Sequence, residues 1–87
     1  MSGNMLIVVS VKDRAADAFM RPFFVPRAEM AIRSFTDEVN RAAADNPIYQ
    51  HPEDYDLYEL GLFDEDSGQL DPNEQLKLLV RGQDVKK

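Results

Sequence analysis

An apolar stripe with helical spacing between residues 27 and 44 is the clearest pattern in the sequence. It recurs at intervals of four, three, four and three residues, at Ala28, Ile32, Phe35, Val39 and Ala42. Such spacing gives a helix one apolar face. From Glu29 to Arg41, residues four apart alternate in charge on another face, where each opposite pair adds about 0.2–0.5 kcal/mol. The pattern predicts a helix at about residues 27–44, ended by Asn46-Pro47.

Two apolar segments predict β-strands. Met5–Val11 is a continuous, largely β-branched run, which is typical of a strand buried on both faces. Tyr55–Phe63 predicts a second strand, with Tyr58, Leu60 and Leu62 on one face and Tyr55, Leu57 and Phe63 on the other. Asp64–Gly68 has the composition of a tight turn, so we expect a strand to return from Gln69.

The remaining segments carry weaker signals. Residues 15–19 have room for one helical turn, and the two prolines of segment 21–26 argue against regular structure there. In residues 71–81, Asp71 and Glu74 have the spacing of a helix start, while the leucines that follow alternate as in a strand. We expect one helical turn followed by a strand.

Together these elements predict an α+β fold in the order β-α-β-β, with one amphipathic helix packed on a small antiparallel sheet. One helix covers only one face of a sheet, and the first strand is apolar on both faces. The other face must be covered by segment 19–26, by a second copy of the chain, or by both. The pattern therefore favours a homodimer of a single domain, residues 1–87, with residues 1–4 and 82–87 frayed.

Composition narrows the class of protein. The chain has 87 residues and no cysteine, which excludes disulfides and thiolate zinc sites. The apolar run near the N-terminus has no basic lead and is too short to cross a bilayer, so we expect a soluble, unexported protein. The net charge is −6: residues 1–44 hold six basic and five acidic side chains, and residues 45–87 hold four and eleven. This distribution excludes a nucleic-acid-binding protein that is basic throughout. It still allows one whose basic residues are concentrated in one part of the chain.

The sequence offers no catalytic or metal-binding motif. His51 is the only histidine and has no nucleophile or second ligand at a useful spacing, so we interpret it as a turn residue. If Gly68 took the glycine position of an EF-hand loop, Phe63 would stand where a carboxylate is required. The four glycines form no phosphate-binding loop. We expect a protein that binds a partner without being an enzyme and without a metal or cofactor.

One group of residues suits single-stranded nucleic acid, because arginines contact phosphates and aromatic rings stack on bases. Its members are Phe19, Arg21, Phe23, Phe24 and Arg27, with Arg33 and Arg41 on the following helix. The alternative is structural: the phenylalanines fill the core and the arginines pair with Glu29 and Asp37.

Three stretches carry a resemblance to a known family. They are Arg-Pro-Phe-Phe-Val-Pro at 21–26, the helix residues 31–35 with Val39-Asn40, and the run Asn-Pro-Ile-Tyr-Gln-His-Pro-Glu-Asp-Tyr at 46–55, which continues to residue 64 and Ser67-Gly68. Over roughly residues 5–70 the chain resembles the small non-structural protein of gokushovirus-type microviruses, which are tailless phages with single-stranded DNA genomes. The resemblance implies a DNA-binding protein outside the virion, in the host bacterial cytoplasm. It also implies a role in the switch to single-strand synthesis and in genome packaging.

Two functions of different class follow. The first is an accessory protein of phage DNA synthesis or packaging, a homodimer that contacts single-stranded DNA or the replication complex. The second is a protein-interaction module that inhibits or redirects a host or phage protein through its acidic half, without binding DNA. Arginines and phenylalanines on one exposed face would favour DNA, whereas buried phenylalanines and a projecting acidic hairpin would favour a protein partner.

Overall fold

The computed structural model describes residues 4–87, which form an α+β fold around an antiparallel sheet. Its elements are β1 (Met5–Asp13), β2 (Ala18–Phe19), β3 (Phe23–Val25), α1 (Ala28–Val39), α2 (Pro47–Gln50), a 3-10 turn (Pro52–Asp54), β4 (Tyr55–Asp64), β5 (Leu70–Arg81) and α3 (Gly82–Val85). The predicted fold class is confirmed, and the predicted order omits β2, β3, α2 and α3. Within residues 4–87, no helix combines the length and apolar character that spanning a bilayer requires.

The sheet has the order β2-β1-β4-β5, and β3 pairs with β1 beside β2. The expectation that segment 21–26 lacks regular structure is wrong, because Phe23–Val25 pair with Val9–Ile7 as an edge strand. Pro22 and Pro26 flank this strand, so neither removes one of its hydrogen bonds. Segment 19–26 therefore widens the sheet and does not form a layer over it.

The core lies between the sheet and α1. Phe35 and Val39 of the predicted stripe are buried together with Ala31, against Val9 and Leu57 of the central strands. The predicted helix is confirmed in this respect, and Ile32 packs against the same core with partial exposure. Burying these side chains is the main source of stability for so short a chain.

Helix α1 ends at Val39, five residues before the predicted end at residue 44. The reason is the buried side chain of Asn46, whose amide nitrogen donates to the backbone oxygens of Glu38 (2.9 Å) and Arg41 (3.0 Å). Its Oδ1 accepts from the backbone N–H of Ile48 at 3.2 Å and so caps α2. One side chain thus satisfies the end of one helix and the start of the next.

The C-terminal residues are held to the end of α1. The amide nitrogen of Asn40 donates to the backbone oxygen of Val85 (3.0 Å), and its Oδ1 accepts from the backbone N–H of Lys87 (2.7 Å). Gly82 is buried, and a Cβ there would lie 2.7 Å from the backbone oxygen of Tyr55. Residues 82–87, which we expected to be frayed, thus form α3 and a hydrogen-bonded tail. We had the same expectation for residues 1–4, of which residues 1–3 lie outside the described part of the chain.

The strand prediction for Tyr55–Phe63 is confirmed, and a bulge changes its faces. Val8 and Val9 of β1 pair with Gly61 and Glu59, so Leu60 is an extra residue in β4. Beyond it the side chains exchange faces: Phe63 lies on the same face as Tyr58 and opposite to Leu57. The predicted grouping of Phe63 with Leu57 is therefore wrong.

Strand β5 begins at Leu70, so the expected helical turn at residues 71–74 is wrong. The predicted strand is present, but its alternation is interrupted, because Leu78 pairs with Tyr58 and Val80 pairs with Leu57, on opposite faces of the sheet. Residues 70–72, 77–78 and 80–81 pair with β4, whereas residues 73–76 form a bulge without partners in that strand and Leu79 is an extra residue. In the bulge, the amide nitrogen of Asn73 donates to the side chain of Glu59 at 3.0 Å. Pairing along β4 satisfies more backbone groups than one helical turn can.

We expect alkaline pH to weaken the fold through Tyr55. Burial raises the pKa of Tyr55, and the neighbouring charge of Asp13 adds to this. The contribution of Tyr55 to stability is therefore complete below the pKa of about 10 that tyrosine has in the unfolded chain. This contribution is lost as pH rises through the higher pKa of Tyr55 in the folded protein. Urea denaturation at pH 8 and pH 11 should show a smaller alkaline loss for Tyr55→Phe than for wild type. Tyr58→Phe, on the opposite sheet face, should keep the wild-type loss; an equal loss in all three proteins would contradict the assignment.

Candidate binding surface

The sheet face opposite α1, here called the open face, carries aromatic side chains. Val9 and Val11 point toward the helices, so the alternating Leu6, Val8, Ser10 and Lys12 point to the open face. Four aromatic residues pair with these positions and share their face. They are Phe63 opposite Leu6, Phe24 opposite Val8, Tyr58 opposite Ser10, and Phe19 opposite Lys12.

The aromatic residues form two pairs along the open face. Phe19 meets Tyr58 and Phe24 meets Phe63, with ring centroids 5.6 and 5.3 Å apart in edge-to-face geometry. Phe19 is 40% exposed and Phe24 is 45% exposed, and Leu70 on the same face is 63% exposed. Adjoining exposed apolar side chains of this size are typical of a binding surface.

One end of the open face, here called the basic end, combines the Phe19–Tyr58 pair with Lys12, Arg14 and Arg81. The two guanidinium groups approach Asp56 Oδ2, Arg14 Nε at 3.3 Å and Arg81 Nη1 at 3.8 Å. The carboxylate of Asp56 is only 2% exposed, whereas both arginine side chains remain more than 40% exposed. Arg14 also donates to the backbone oxygen of Glu53. A buried anion therefore holds two cations in place at the surface.

Lys12 completes the basic end. Its Nζ lies 5.6 Å from the centroid of the Phe19 ring and 3.5 Å from Asp17 Oδ1. Asp17 is strongly exposed, so water screens this ion pair and it contributes little. The basic end thus presents three cations and two aromatic rings around one buried carboxylate, an arrangement suited to phosphate and to flat aromatic groups.

The other end of the open face is apolar. A cavity of about 280 Å³ opens there between β4 and β5, lined by Val8, Leu60, Gly61, Leu62, Leu70, Asp71 and Pro72. Gly61 allows the strands this close approach, because a Cβ there would lie 2.8 Å from the Cα of Pro72. The β4–β5 turn, with Glu65 and Asp66 exposed, lies beyond this end. We call residues 64–68 the acidic hairpin.

The structure separates the candidate residues that the sequence grouped together. Phe19 and Phe24 lie on the open face, whereas Phe23 points to the other side and packs against the core. Arg21 and Arg27 are exposed in the segment leading to α1, and Arg33 is exposed on that helix, behind the sheet. The candidate residues therefore form neither one exposed nucleic-acid-binding face nor a set of buried phenylalanines with paired arginines.

The ion pairs also differ from the structural alternative. Arg41 pairs with Glu38 through two hydrogen bonds of 2.9 and 2.8 Å, and not with Asp37. This contact lowers the pKa of Glu38. Among residues 4–87, no acidic group lies within 4 Å of the charged atoms of Arg21, Arg27 or Arg33.

Sequence reasoning missed the basic end. Lys12 and Arg14 belong to β1 and its turn, and Arg81 comes almost seventy residues later, at the end of β5. Only strand pairing brings them together, with Asp56 opposite both Lys12 and Arg81. If Phe19 had been predicted as a strand residue paired with Lys12, the alternation of side chains would have placed both residues on one face of the sheet.

His51, Glu53 and Asp54 offer side-chain ligand atoms within 4.8 Å of one another on the turn before β4. His51 Nδ1 lies 3.8 Å from the carboxylate of Glu53, and both side chains are more than half exposed. Asp54 is partly exposed, so the group has no buried member to fix a metal geometry. We therefore base no function on it.

Comparison with known proteins gives matches over most of the chain. The family described as Phage ORF5 protein matches residues 6–85. The chain is 35% identical over 65 residues to Protein ORF5 of Chlamydia phage 1, an alignment that covers 72% of this chain and 68% of that protein. No solved structure matches the chain significantly.

Proposed function

We propose a function from one premise: the chain belongs to the Phage ORF5 protein family and is a small phage protein of the microvirus type. The proposed function is that of a non-enzymatic accessory protein of phage DNA synthesis or packaging. It acts in the host bacterial cytoplasm and contacts single-stranded DNA, alone or within the replication complex. The genome type of microviruses supports this choice of ligand, and the basic end of the open face supplies the contact.

The observation that carries the proposal is that Lys12 lies against the exposed ring of Phe19, at the same end of the sheet as Arg14 and Arg81, which pair with Asp56. Single-stranded nucleic acid is bound by cations that follow its phosphates and by rings on which its bases stack. A sheet face with exposed aromatic residues suits this task, because it offers rings and cations on one surface. Arg14 and Arg81 keep more than 40% of their side chains exposed beside Asp56, so both guanidinium groups remain accessible to phosphate.

The same geometry predicts modest affinity and a preference for single strands. A duplex keeps its bases stacked inside, so Phe19 has no base to stack on and only phosphate contacts remain. About three neutralised phosphates give a slope of log affinity against log salt near −2, at roughly 0.7 per contact. The acidic hairpin lies at the far end of the face, so neutralising it should change DNA affinity little.

Anisotropy of a labelled single-stranded oligonucleotide, titrated at several salt concentrations, tests the proposal. Lys12→Gln should flatten the salt slope by about 0.7. Phe19→Leu should weaken binding at every salt concentration, by an amount of the order of the 1–3 kcal/mol lost per stacked base. Asp56→Asn should strengthen binding, since it keeps the side-chain shape while removing the one buried negative charge of the basic end.

Arg33→Gln provides the matched control, because it removes one exposed cation behind the sheet. It should leave the slope of log affinity against log salt unchanged. A slope that changes with Arg33→Gln and not with Lys12→Gln would mean that DNA contacts the arginines predicted from the sequence. Absence of binding at low salt, where electrostatic attraction is strongest, would remove the DNA proposal altogether.

The apolar end favours a second function, a protein-interaction module that inhibits or redirects a host or phage protein. The exposed side chains of Phe24 and Leu70, next to an apolar cavity, fit a protein partner better than a polyanion. Neighbouring Glu65 and Asp66 repel phosphate and suit a basic partner. A protein that binds no DNA, and loses a captured protein partner on Leu70→Ser, would establish this function in place of the first.

A further inference from the structure

We propose that the open face binds a second copy of the chain face to face, with strands antiparallel, so that each acidic hairpin lies on the basic end of its partner. This dimer goes beyond DNA binding and does not depend on it. Three features of the described residues support it: the exposed apolar area, the protected sheet edges and the opposite charges at the two ends of the face.

The apolar area supplies the driving force. Three apolar residues on the open face, Phe24, Leu70 and Leu78, are each more than a third exposed. The helices α1, α2 and α3 all contribute to the core on the opposite side, so none of them shields this face. A domain of this size gains relatively little from its own core, so covering such a face stabilises it appreciably.

The sheet edges favour stacking of faces over strand addition. The free edge of β5 carries Pro72, Lys77 and the irregular bulge of residues 73–76, all of which hinder pairing with another strand. The opposite edge consists of β2 and β3, which have two and three residues. Neither edge offers a long, regular strand, which leaves the open face as the surface for association.

Charge selects the second copy and its orientation. The basic end lies where β1 ends, at Lys12 and Arg14, whereas the acidic hairpin lies where β1 begins, since the backbone N–H of Glu65 donates to the backbone oxygen of Asn4. A two-fold axis in the plane of the interface and perpendicular to the strands reverses the strand direction. Each hairpin, with Glu65 and Asp66, then meets Lys12 and Arg14 of the partner. A parallel arrangement would bring like charges together.

The size of the face sets the expected affinity. Nine residues of β1 at about 3.3 Å each, and four strand positions at about 4.8 Å, give a face of roughly 600 Å² per copy. This area is below the roughly 800 Å² per partner of a standard stable interface, so the dimer should be weak. We expect dissociation in the micromolar range.

Sedimentation with charge-reversed variants tests the dimer and its orientation. Wild type at tens of micromolar should show a species near twice the chain mass of 9.9 kDa. The hairpin variant Glu65→Lys/Asp66→Lys and the basic-end variant Lys12→Glu should each self-associate at least about tenfold more weakly. Mixed in equal amounts they should recover the dimer, because the reversed hairpin then meets the reversed basic end and the other contact remains native.

Controls separate charge from fold. Asp37→Lys makes a similar change on the exposed side of α1 and should leave association unchanged. Leu70→Ser, at a strongly exposed apolar position, should weaken association at all salt concentrations. A wild-type protein that stays monomeric through this range overturns the proposal and leaves the face to another occupant. Variants whose mixture stays monomeric overturn the antiparallel orientation.

The dimer has a consequence that, unlike the dimer itself, rests on the proposed DNA contact. Self-association covers Phe19 and the basic end, so single-stranded DNA and the second copy compete for one surface. Adding oligonucleotide should convert the dimer to DNA-bound monomer. Leu70→Ser, which weakens association without changing the charge, should bind DNA more tightly than wild type at high protein concentration and equally well at low concentration. If DNA bound to two chains whose open faces remained in contact with each other, this competition would be excluded and the proposed dimer would stand.

Discussion

Replacing Phe35 with alanine should cost about 3–5 kcal/mol and unfold a large share of the protein near physiological temperature. Phe35 is only 3% exposed and contributes its ring to the core between α1 and the sheet. At 0.05–0.15 kcal/mol per residue, a chain of 87 residues has a stability of roughly 4–13 kcal/mol, so the lost contact is a large part of the total. The melting temperature should fall by more than about 12 °C.

Thermal denaturation followed by circular dichroism measures this effect. Met30→Ala is the matched control, because Met30 lies on the same helix and is 46% exposed. It should melt close to wild type, within about 0.5 kcal/mol. A Phe35→Ala protein that melts within a few degrees of wild type would show that the stripe does not anchor the core.

The elements with strong periodicity could be predicted from the sequence. The stripe through Phe35 and Val39 identified α1, and the apolar runs identified β1 and β4, because the side-chain period reflects which face is buried. The end of α1 could not be predicted, since it depends on Asn46, which reaches back to carbonyls five and eight residues earlier. Local propensity carries no information about such a contact.

Pairing between strands explains the other differences. The prolines beside β3 argued against regular structure, but an edge strand of three residues between them loses no hydrogen bond. The extra residue Leu60 leaves no trace in the alternation of β4, yet it moves Phe63 to the open face. The candidate site depends on the same pairing, because it joins Lys12 and Phe19 of adjacent strands to Arg81, which lies far away in the sequence. Composition indicated arginines and aromatic residues, and only the register shows which of them meet.

The basic end should also be a stability element, and its response to mutation should be strongly non-additive. Replacing both Arg14 and Arg81 with glutamine leaves the carboxylate of Asp56, 2% exposed, without a cation within 4 Å, because Lys12 pairs with Asp17. A buried carboxylate deprived of its partners costs about 3–5 kcal/mol, because its lost hydration is no longer offset. Adding Asp56→Asn to the double variant removes the charge that needs compensation, so the triple variant should recover most of the loss.

Urea denaturation of the single, double and triple variants at neutral pH measures this coupling. Each single arginine variant should lose less than half as much as the double variant, since one guanidinium remains beside Asp56. Arg41→Gln is a control from an exposed ion pair, with Glu38, and should leave stability close to that of wild type, because water screens this pair. A triple variant no more stable than the double would mean that the arginines act through their packing and through the bond from Arg14 to the Glu53 carbonyl. In that case Asp56→Asn should still strengthen DNA binding, although it would not raise the stability of the double variant.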